Sequence, residues 1–459
     1  MKLFSKSLPE LLQMARGNGA GSQLARNGIG SLALKVSDTL FSFLVAVTLA
    51  RALGADGYGD YSYVYALVSV LAIPAQFGLP NLLVRETAKA LAKQEWGLIQ
   101  GVWRWAGKMT SLLAVILILG TGAVAIVWGK SFNPGQLSAM FWGLILMPLI
   151  AFGELRGAAL RGLHRVVEGQ IPEQAILPGL FFIFVLAAAI VFPKMDMTPA
   201  TAMALQVAAA GIAFAIGAWL LWRATPTEVR DASPLYEGRA WLASTLPLAF
   251  IGGMQLINRR LSILVLGFFV DSSQVGIFRV ADQMALLISV GLQAMNLAVA
   301  PQFARLYAIG NKERLQKLVT ASSRIVFFLT FIVVAFFLAF GKPFLRIVFG
   351  EEFAPAYVPL VILAIGQLVN ALTGSVAVLL NMTGHEQATA QGMTISAIAN
   401  VVLNLILVPL WGPNGAALAS AVTFTAWNVI LWVAVHRRLQ INSMAFDPFG
   451  WGAAAKKAR

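Results

Sequence analysis

Charged side chains lie inside several long apolar runs of this sequence, which makes them candidates for chemistry. They are four basic and two acidic residues: Lys35, Arg259, Arg260, Arg279, Asp38 and Asp282. A charge at the centre of a lipid bilayer costs at least about 2.5–3.5 kcal/mol, so each is a functional candidate by default. The excess of basic side chains predicts an anionic ligand group, and the planar fork of arginine suits the oxygens of a pyrophosphate.

The adjacent arginines Arg259 and Arg260 are the deepest of these charges. About eighteen residues of the same run precede them, and the apolar sequence LSILVLGFFV follows. Because a helix rises about 1.5 Å per residue, both arginines are expected to lie well inside the hydrocarbon. Neighbouring helical positions point about 100° apart, so we expect one arginine to face a cavity and the other to cap a carbonyl or pair with an acid. Pro247 precedes the pair by about three turns, and since proline removes a helical hydrogen bond we predict a gating bend there.

Lys35 and Arg279 lie nearer the ends of their runs, and two interpretations stay open for each. Either side chain can bind the substrate, or its long stem can carry the charge out to the interface. Arg279 can also pair with Asp282, which follows on the same helical face. Asp38 can be a static partner of Lys35 or the acceptor of a coupling H+ or Na+ ion, a usual role of carboxylates in ion-driven transporters. The same two roles are open for Asp282.

Polar side chains accompany these charges at helical intervals. In the first run Ser31, Lys35, Asp38 and Ser42 share one face, because their spacing follows the helical repeat. Three further runs carry similar stripes: Ser62, Tyr65, Ser69, Gln76, Gln255, Asn258, Ser262, Ser289, Gln293 and Asn296. These stripes predict the wall of a wet central cavity. We expect its polar lining to include Gln255, Asn258, Gln293 and Asn296.

A second group of charges follows the apolar part of the fourth run. It comprises Glu154, Arg156, Arg161, Arg165 and Glu173. The plain interpretation is a solvated basic loop on the inner side of a membrane. The alternative is a place where lipid headgroups enter, formed by Glu154, Arg156 and Arg161.

The composition requires a membrane protein. The chain has 459 residues, of which 58% are hydrophobic and 12% are charged, whereas soluble domains carry about 45–50% apolar and about 25% charged residues. The net charge of +14 therefore indicates basic inner loops beside anionic lipid rather than nucleic-acid binding. There are no cysteines, and the three histidines have no metal-ligand spacing. We expect no metal and no cofactor.

The apolar runs predict an all-α, polytopic membrane protein with about twelve spans, each near the roughly 20 residues that a helix needs to cross a bilayer. The spans lie near 30–52, 60–83, 107–129, 137–160, 171–192, 199–222, 241–270, 276–300, 323–343, 355–381, 388–410 and 414–436. With both termini inside, inner segments hold about five times as many Lys and Arg residues as outer ones. We therefore expect a multi-pass protein of the cytoplasmic (inner) membrane with both termini in the cytoplasm.

The two halves have the same rhythm of spans, which predicts an internal repeat of six helices. Because six is even, both halves share one orientation, as in transporters with two bundles around a central site. The predicted divisions are an amphipathic cytoplasmic segment, the first lobe, a cytoplasmic linker, the second lobe and a basic cytoplasmic tail: 1–25, 26–222, 223–240, 241–436 and 437–459.

Three stretches resemble a known family. RNGIGSLALKVSDTLFSFLVAVTLARALGADGYGDYSYVYALVSVLAIPAQFGLPNLLVRETAK (26–89) resembles the opening of bacterial polysaccharide and O-antigen flippases of the multidrug/oligosaccharidyl-lipid/polysaccharide exporter superfamily. LRGLHRVVEGQIPEQ (160–174) and GQLVNALTGSVAVLLNMTGHEQ (366–387) are similar to its second and third recurring segments. The likeness spans nearly the whole chain, and these motifs mark the family rather than a substrate.

The resemblance implies two pseudo-symmetric six-helix bundles that form a V around a central cavity. It also implies a transporter, not an enzyme, that flips undecaprenyl-pyrophosphate-linked oligosaccharide to the outer leaflet for O-antigen or exopolysaccharide synthesis. Such flippases line the cavity with cationic side chains. The positions that fit here are Lys35, Arg259, Arg260 and Arg279. The expected partners are the lipid-linked glycan, membrane lipids, H+ or Na+ and other polysaccharide-assembly membrane proteins. We expect no nucleic acid, and a two-lobed transporter can act as a monomer.

Two alternatives stay open. A cation-coupled multidrug exporter of the same superfamily often has an acid in its first span, which Asp38 matches, but it predicts an acidic cavity. A membrane glycan polymerase or ligase needs acid–base residues on a substantial outer loop, and each predicted outer loop here has about fifteen residues or fewer. The balance of charge favours the flippase.

Overall fold

The structure, a computed structural model, describes residues 20–127, 132–191 and 197–446, and the side chains of 20–27, 124, 247, 250, 251 and 254–259 lie outside the described set. Every regular element in these ranges is helical. Most of the predicted N-terminal segment 1–25 and the last part of the predicted tail 437–459 also lie outside the described residues.

Eight helices form the first part of the chain. They are α1 (Ala20–Gln76), α2 (Leu79–Lys93), α3 (Trp96–Val127), α4 (Pro134–Gly162), α5 (Leu177–Val191), α6 (Pro199–Ala224), α7 (Thr227–Asp231) and α8 (Gly238–Phe269). A π-helical turn, Pro172–Ile176, leads directly into α5.

Five more helices follow. They are α9 (Ser272–Ala308), α10 (Lys312–Phe349), α11 (Tyr357–Thr373), α12 (Val376–Met382) and α13 (Glu386–Leu439), with a 3-10 turn, Glu351–Ala356, before α11.

The longer helices of the described residues provide twelve spans. Nine helical stretches are long and apolar enough to cross a membrane. Two of them, α1 and α13, each hold two spans that meet at a glycine in a left-handed conformation, Gly54 (φ 67°) and Gly412 (φ 50°). Only glycine adopts such angles without strain, so the chain can turn there without a loop. The 32-residue α8, with its apolar segment Arg260–Phe269, completes the set. The predicted all-α, polytopic fold is confirmed.

The second half repeats the spacing of the first. Helical segments begin at Trp96, Pro134, Pro172 and Pro199, and their counterparts begin at Lys312, Glu351, Glu386 and Pro413. The matched starts support the internal repeat that the sequence predicts.

The described residues fall into two compact units, one up to Arg260 and the other from Leu261 onward. The division between these units lies inside α8, and the role of 223–240 as a linker between two lobes stays a prediction. That linker is ordered against α3, because the amide of Leu235 donates to the carbonyl of Gly97 (2.9 Å) and the amide of Gln100 donates to the carbonyl of Arg230 (3.1 Å).

In the first unit, α4 packs against α1, α2 and α6. Small residues let the backbones approach, as is typical of membrane helices. A side chain at Gly157 would meet the carbonyl oxygen of Gly169, and one at Gly143 would meet Val68. Leucines of α2 pack with Leu155 of α4 and Trp241 of α8 in a buried apolar cluster.

In the second unit, α13 packs against α11 and α12. Hydrogen bonds between helices supplement apolar packing, as polar side chains do in membrane bundles. The hydroxyl of Ser396 donates to the carbonyl of Thr423 (3.1 Å), and the hydroxyls of Ser262 and Ser420 lie 3.1 Å apart. Phe303, near the C-terminal end of α9, is fully buried in the apolar cluster of this unit.

Candidate functional site

The side chain of Arg260 lies against an aromatic ring. Its guanidinium carbon is 5.1 Å from the centroid of the Tyr65 ring, on the second segment of α1. This distance is within the range of cation–π attraction, which strengthens where water is excluded. Arg260 and Tyr65 are both partly exposed. The predicted deep arginine therefore has an aromatic support and a surface that a ligand can reach.

A series of aromatic rings continues from Tyr65 along α1. Tyr61 lies one helical turn earlier, and its ring is parallel to that of Tyr65 at a centroid distance of 6.1 Å and an interplanar angle of 1°. Tyr58 stacks on Tyr61 at 6.4 Å. The buried hydroxyl of Tyr61 donates to Oε1 of Gln206 on α6 at 2.8 Å. We call Arg260, Tyr65, Tyr61 and Gln206 the tyrosine ladder.

The backbone of α8 runs close to the second segment of α1. Gly78, just after α1, has a left-handed conformation (φ 69°), and a Cβ there would lie 2.5 Å from the amide nitrogen of Ala249. A Cβ at Gly253 would lie 3.4 Å from the side chain of Ile73. These contacts progress in opposite directions along the two helices. The helices are therefore antiparallel neighbours, which places Arg260 opposite Tyr65.

Lys35 and Asp38 form an ion pair on the first segment of α1. Nζ of Lys35 lies 3.1 Å from Oδ2 of Asp38, and the two side chains are 42% and 29% exposed. The spacing of three positions brings them together on one face of the helix. Of the two roles open for Asp38, the geometry provides the partnership with Lys35.

Arg279 and Asp282 form a similar pair on α9, in the second unit. Nη1 of Arg279 lies 2.9 Å from Oδ2 of Asp282, and the side chains are 16% and 29% exposed. On the same helix, the amide of Gln293 donates to the hydroxyl of Ser289 at 2.8 Å. Oδ1 of Asn296 is buried and accepts no hydrogen bond from the described residues.

The structure separates the members of the charged group around α4. Arg156 is only 5% exposed and forms an ion pair with Glu173 of the π-helical turn. Its Nη1 also donates to the carbonyls of Ala213 (3.2 Å) and Phe214 (2.9 Å) of α6. The Phe214 ring lies 5.5 Å from its guanidinium carbon. This side chain is thus enclosed by protein groups, and we call it the Arg156 clamp.

Glu154 and Arg161 are less buried than Arg156. Nη2 of Arg161 lies 3.9 Å from Oε2 of Glu154, and their side chains are 27% and 45% exposed. The predicted role in admitting headgroups stays a prediction for this pair. For Arg156 the burial instead favours a structural role.

Four predicted site residues lie outside the described side chains. The backbone of α8 is helical through their positions, but nothing further is described for Pro247, Gln255, Asn258 and Arg259. Their roles in gating, cavity lining and anion binding stay predictions. Among the described residues, no group of three or more His, Asp or Glu side chains is arranged to hold a metal ion.

Sequence reasoning missed two members of the tyrosine ladder, Tyr61 and Gln206. Tyr58, Tyr61 and Tyr65 recur at helical spacing, which is a visible signal for one aromatic face. Gln206 lies among alanines and glycines of α6, and nothing in its surroundings pointed to Tyr61. A lone glutamine in an apolar span is nevertheless expected to find a partner, because an unpaired amide there is costly.

Known proteins resemble the chain along most of its length. Residues 24–307 match the family described as "Polysaccharide biosynthesis protein". The chain is 24% identical to the "Probable low-salt glycan biosynthesis flippase Agl15" of Haloferax volcanii, over 93% of this chain and 86% of that protein.

Solved structures share the fold. An inward-facing multidrug resistance MATE family transporter of the MOP superfamily superposes with a TM-score of 0.73 at 14% identity, over 90% of this chain and 98% of that chain. The lipid II flippase MurJ, in an inward closed conformation, superposes with a TM-score of 0.70 at 11% identity, over 89% of this chain and 87% of that chain. The family predicted from segments 26–89, 160–174 and 366–387 is confirmed, because the family match covers more than half of the sequence. The chain is a multi-pass membrane protein that belongs to the Polysaccharide biosynthesis protein family.

Proposed function

We propose that this protein is a flippase that moves an undecaprenyl-pyrophosphate-linked oligosaccharide from the inner to the outer leaflet of the cytoplasmic membrane. The observation that carries the proposal is Arg260, a partly exposed arginine inside a membrane helix, held on the ring of Tyr65. Family membership and the resemblance to a glycan biosynthesis flippase also support this proposal.

The chemistry of arginine fits the anionic part of such a substrate. A guanidinium group stays charged at any physiological pH, and it donates paired hydrogen bonds in its own plane. Where its face lies on a ring, these donors point towards the rim of the contact. We propose that Arg260 binds the pyrophosphate oxygens, with Arg259 as its neighbour on α8. Lys35 and Arg279 are proposed as further contacts for anionic groups.

The proposed cycle is alternating access. The pyrophosphate binds from the inner side, and its charge is offset by the basic side chains. The glycan then crosses through the polar interior while the polyprenyl tail stays in lipid. The same proposal includes coupling to H+ or Na+, with Asp38 or Asp282 as the acceptor. It also places both termini in the cytoplasm and includes cooperation with other polysaccharide-assembly proteins.

Reconstituted protein tests the proposal. Sealed liposomes would carry an undecaprenyl-pyrophosphate oligosaccharide with a fluorophore on the glycan, and an external quencher would report its sidedness. We expect wild-type protein to exchange the labelled lipid between leaflets. We expect Arg260→Ala to lose at least about nine-tenths of the rate, because a charge-assisted bidentate contact is lost.

The matched control is Arg346→Ala, which removes an exposed arginine that pairs with Glu351 at 2.8 Å. It should translocate like the wild type. Translocation that survives Arg260→Ala keeps the flippase but moves the anion site. Efflux of a cationic dye under a proton gradient, without any lipid translocation, would replace the flippase with a drug exporter.

A further inference from the structure

We propose that Tyr65 is a positioning residue for Arg260, and that Tyr61 and Gln206 hold its ring in place. The inference rests on the proposed function and deepens it, because it names the groups that make an arginine in the membrane competent to bind pyrophosphate. Four residues on three helices carry it: Arg260, Tyr65, Tyr61 and Gln206.

Arg260 is a cationic side chain in an apolar helix. Inside the bilayer, such a side chain lowers its free energy by extending towards the interface, where water solvates the charge. The face of an aromatic ring offers an alternative at depth, because its negative quadrupole attracts the cation. With the guanidinium carbon 5.1 Å from the ring centroid, Arg260 is held over Tyr65. An arginine confined in this way loses less conformational freedom when it binds an anion.

The ring of Tyr65 stacks on that of Tyr61. The two residues are four positions apart on α1, so their side chains meet on one face. Their rings are parallel within 1°. A phenylalanine at position 65 would keep this stacking and the face that Arg260 contacts. An aliphatic residue there would remove both.

A hydrogen bond anchors the ladder to another helix. Tyr61 is 6% exposed and Gln206 is 5% exposed, and the hydrogen bond between them is 2.8 Å long. A buried hydrogen bond of this kind is costly to break, because the groups cannot turn to water instead. Tyr61 therefore has a fixed ring on which Tyr65 stacks, and the ladder links α6 to α8 through α1.

A binding measurement tests the inference independently of transport. The probe is farnesyl pyrophosphate, a short isoprenoid pyrophosphate, and its Kd would be measured with full-length protein in detergent. We expect Arg260→Ala and Tyr65→Leu each to weaken binding by about ten-fold or more, whereas Tyr65→Phe stays within about two-fold of the wild type. In the flipping assay, Tyr65→Leu should raise the lipid concentration for half-maximal rate more than it lowers the maximal rate.

The matched control is Tyr63→Leu, the same substitution two positions earlier on α1, where the helical repeat of about 100° per residue directs the side chain about 200° away from that of Tyr65. It should bind the probe like the wild type. Thermal unfolding of each variant identifies any fold defect. If Tyr65→Leu fails to fold, Tyr65→Ile replaces it, and it should weaken binding to the same extent because it also lacks an aromatic face.

The outcomes separate the two proposals. Weak binding by Arg260→Ala with wild-type binding by Tyr65→Leu overturns the role of Tyr65 and leaves the flippase site intact. Equal loss in Tyr65→Phe and Tyr65→Leu also overturns it, since the ring face is then not the determinant. Wild-type binding by Arg260→Ala overturns both the site and the ladder, and absence of binding and flipping in the wild type overturns the proposed function itself.

Discussion

Arg156 and Arg260 are both arginines in membrane-spanning helices of the first unit, but the protein surrounds them differently. Arg156 is 5% exposed and contacts Glu173, two carbonyls of α6 and the ring of Phe214. Arg260 is partly exposed and lies on the ring of Tyr65. A ligand can reach the second side chain and not the first. An arginine in a membrane-spanning helix therefore needs an explanation. The exposed fraction of its side chain distinguishes a structural role from a functional one.

The largest expected effect comes from Arg156→Ala. Removing one partner of a buried ion pair costs up to about 3–5 kcal/mol. Here Glu173, whose side chain is 27% exposed, would lose its compensating charge, and the carbonyls of α6 would lose their donor. The variant should fold poorly or unfold at a much lower temperature in detergent, whereas Arg260→Ala should unfold close to the wild type. A wild-type unfolding temperature for Arg156→Ala would contradict the structural role. The double variant Arg156→Met/Glu173→Gln is the control, and it should recover part of the loss, since no uncompensated charge remains.

Gly217→Ala tests how tightly the Arg156 clamp is enclosed. A Cβ at this position of α6 would overlap the guanidinium group of Arg156. The group is held by several partners and cannot move aside freely, so we expect a destabilisation of about 1–3 kcal/mol, as is typical of overpacking. Thermal unfolding of the purified variant measures it. The matched control is Gly211→Ala on the same helix, where no atom lies within 4 Å of the new Cβ. Equal unfolding temperatures for the two variants would show that the clamp is loose.

The tyrosine ladder predicts a smaller effect for Tyr61→Phe. The change removes the donor to Oε1 of Gln206, which is buried, and keeps the ring on which Tyr65 stacks. Loss of a hydrogen bond of this kind costs about 1 kcal/mol. We expect a slightly lower unfolding temperature and nearly unchanged lipid flipping. Tyr63→Phe on the same helix is the control. A loss of flipping larger than the loss of stability would mean that the hydroxyl, and not the ring, positions the site.

Sequence reasoning succeeded where the physical cause is local. Apolar length predicted the spans, because a backbone in lipid must satisfy its own hydrogen bonds and only a helix of sufficient length can do so. The pair of Arg279 and Asp282 followed from helical spacing, and the structure places them 2.9 Å apart. Both inferences needed only neighbours along the chain.

Sequence reasoning failed where the partners are distant. The carbonyls that Arg156 contacts belong to Ala213 and Phe214, and a carbonyl oxygen is present at every residue, so no residue type marks it. The partner of Tyr61 is Gln206, 145 positions away on α6, and no pattern in the sequence joins the two residues. Long-range packing decides both, and a single sequence does not encode it as a pattern.

The smallest expected effect on stability sharpens the comparison with a third charge, Asp38. Its partner Lys35 is far more exposed than Arg156 (42% against 4% of the side chain), whereas the acids Asp38 and Glu173 are similarly exposed. Exposed ion pairs contribute about 0.2–1 kcal/mol. Asp38→Asn keeps the shape of the side chain, so we expect an unfolding temperature close to that of the wild type. Lipid flipping with an unchanged response to an imposed pH gradient would leave Asp282 as the acceptor. Lys317→Ala, which breaks the exposed pair with Glu313 on α10, is the control. If Asp38→Asn keeps its stability but loses the response to the gradient, Asp38 is the acceptor of the coupling ion. A partly exposed acid of α1 would then have a functional role, as we propose for the partly exposed arginine of α8.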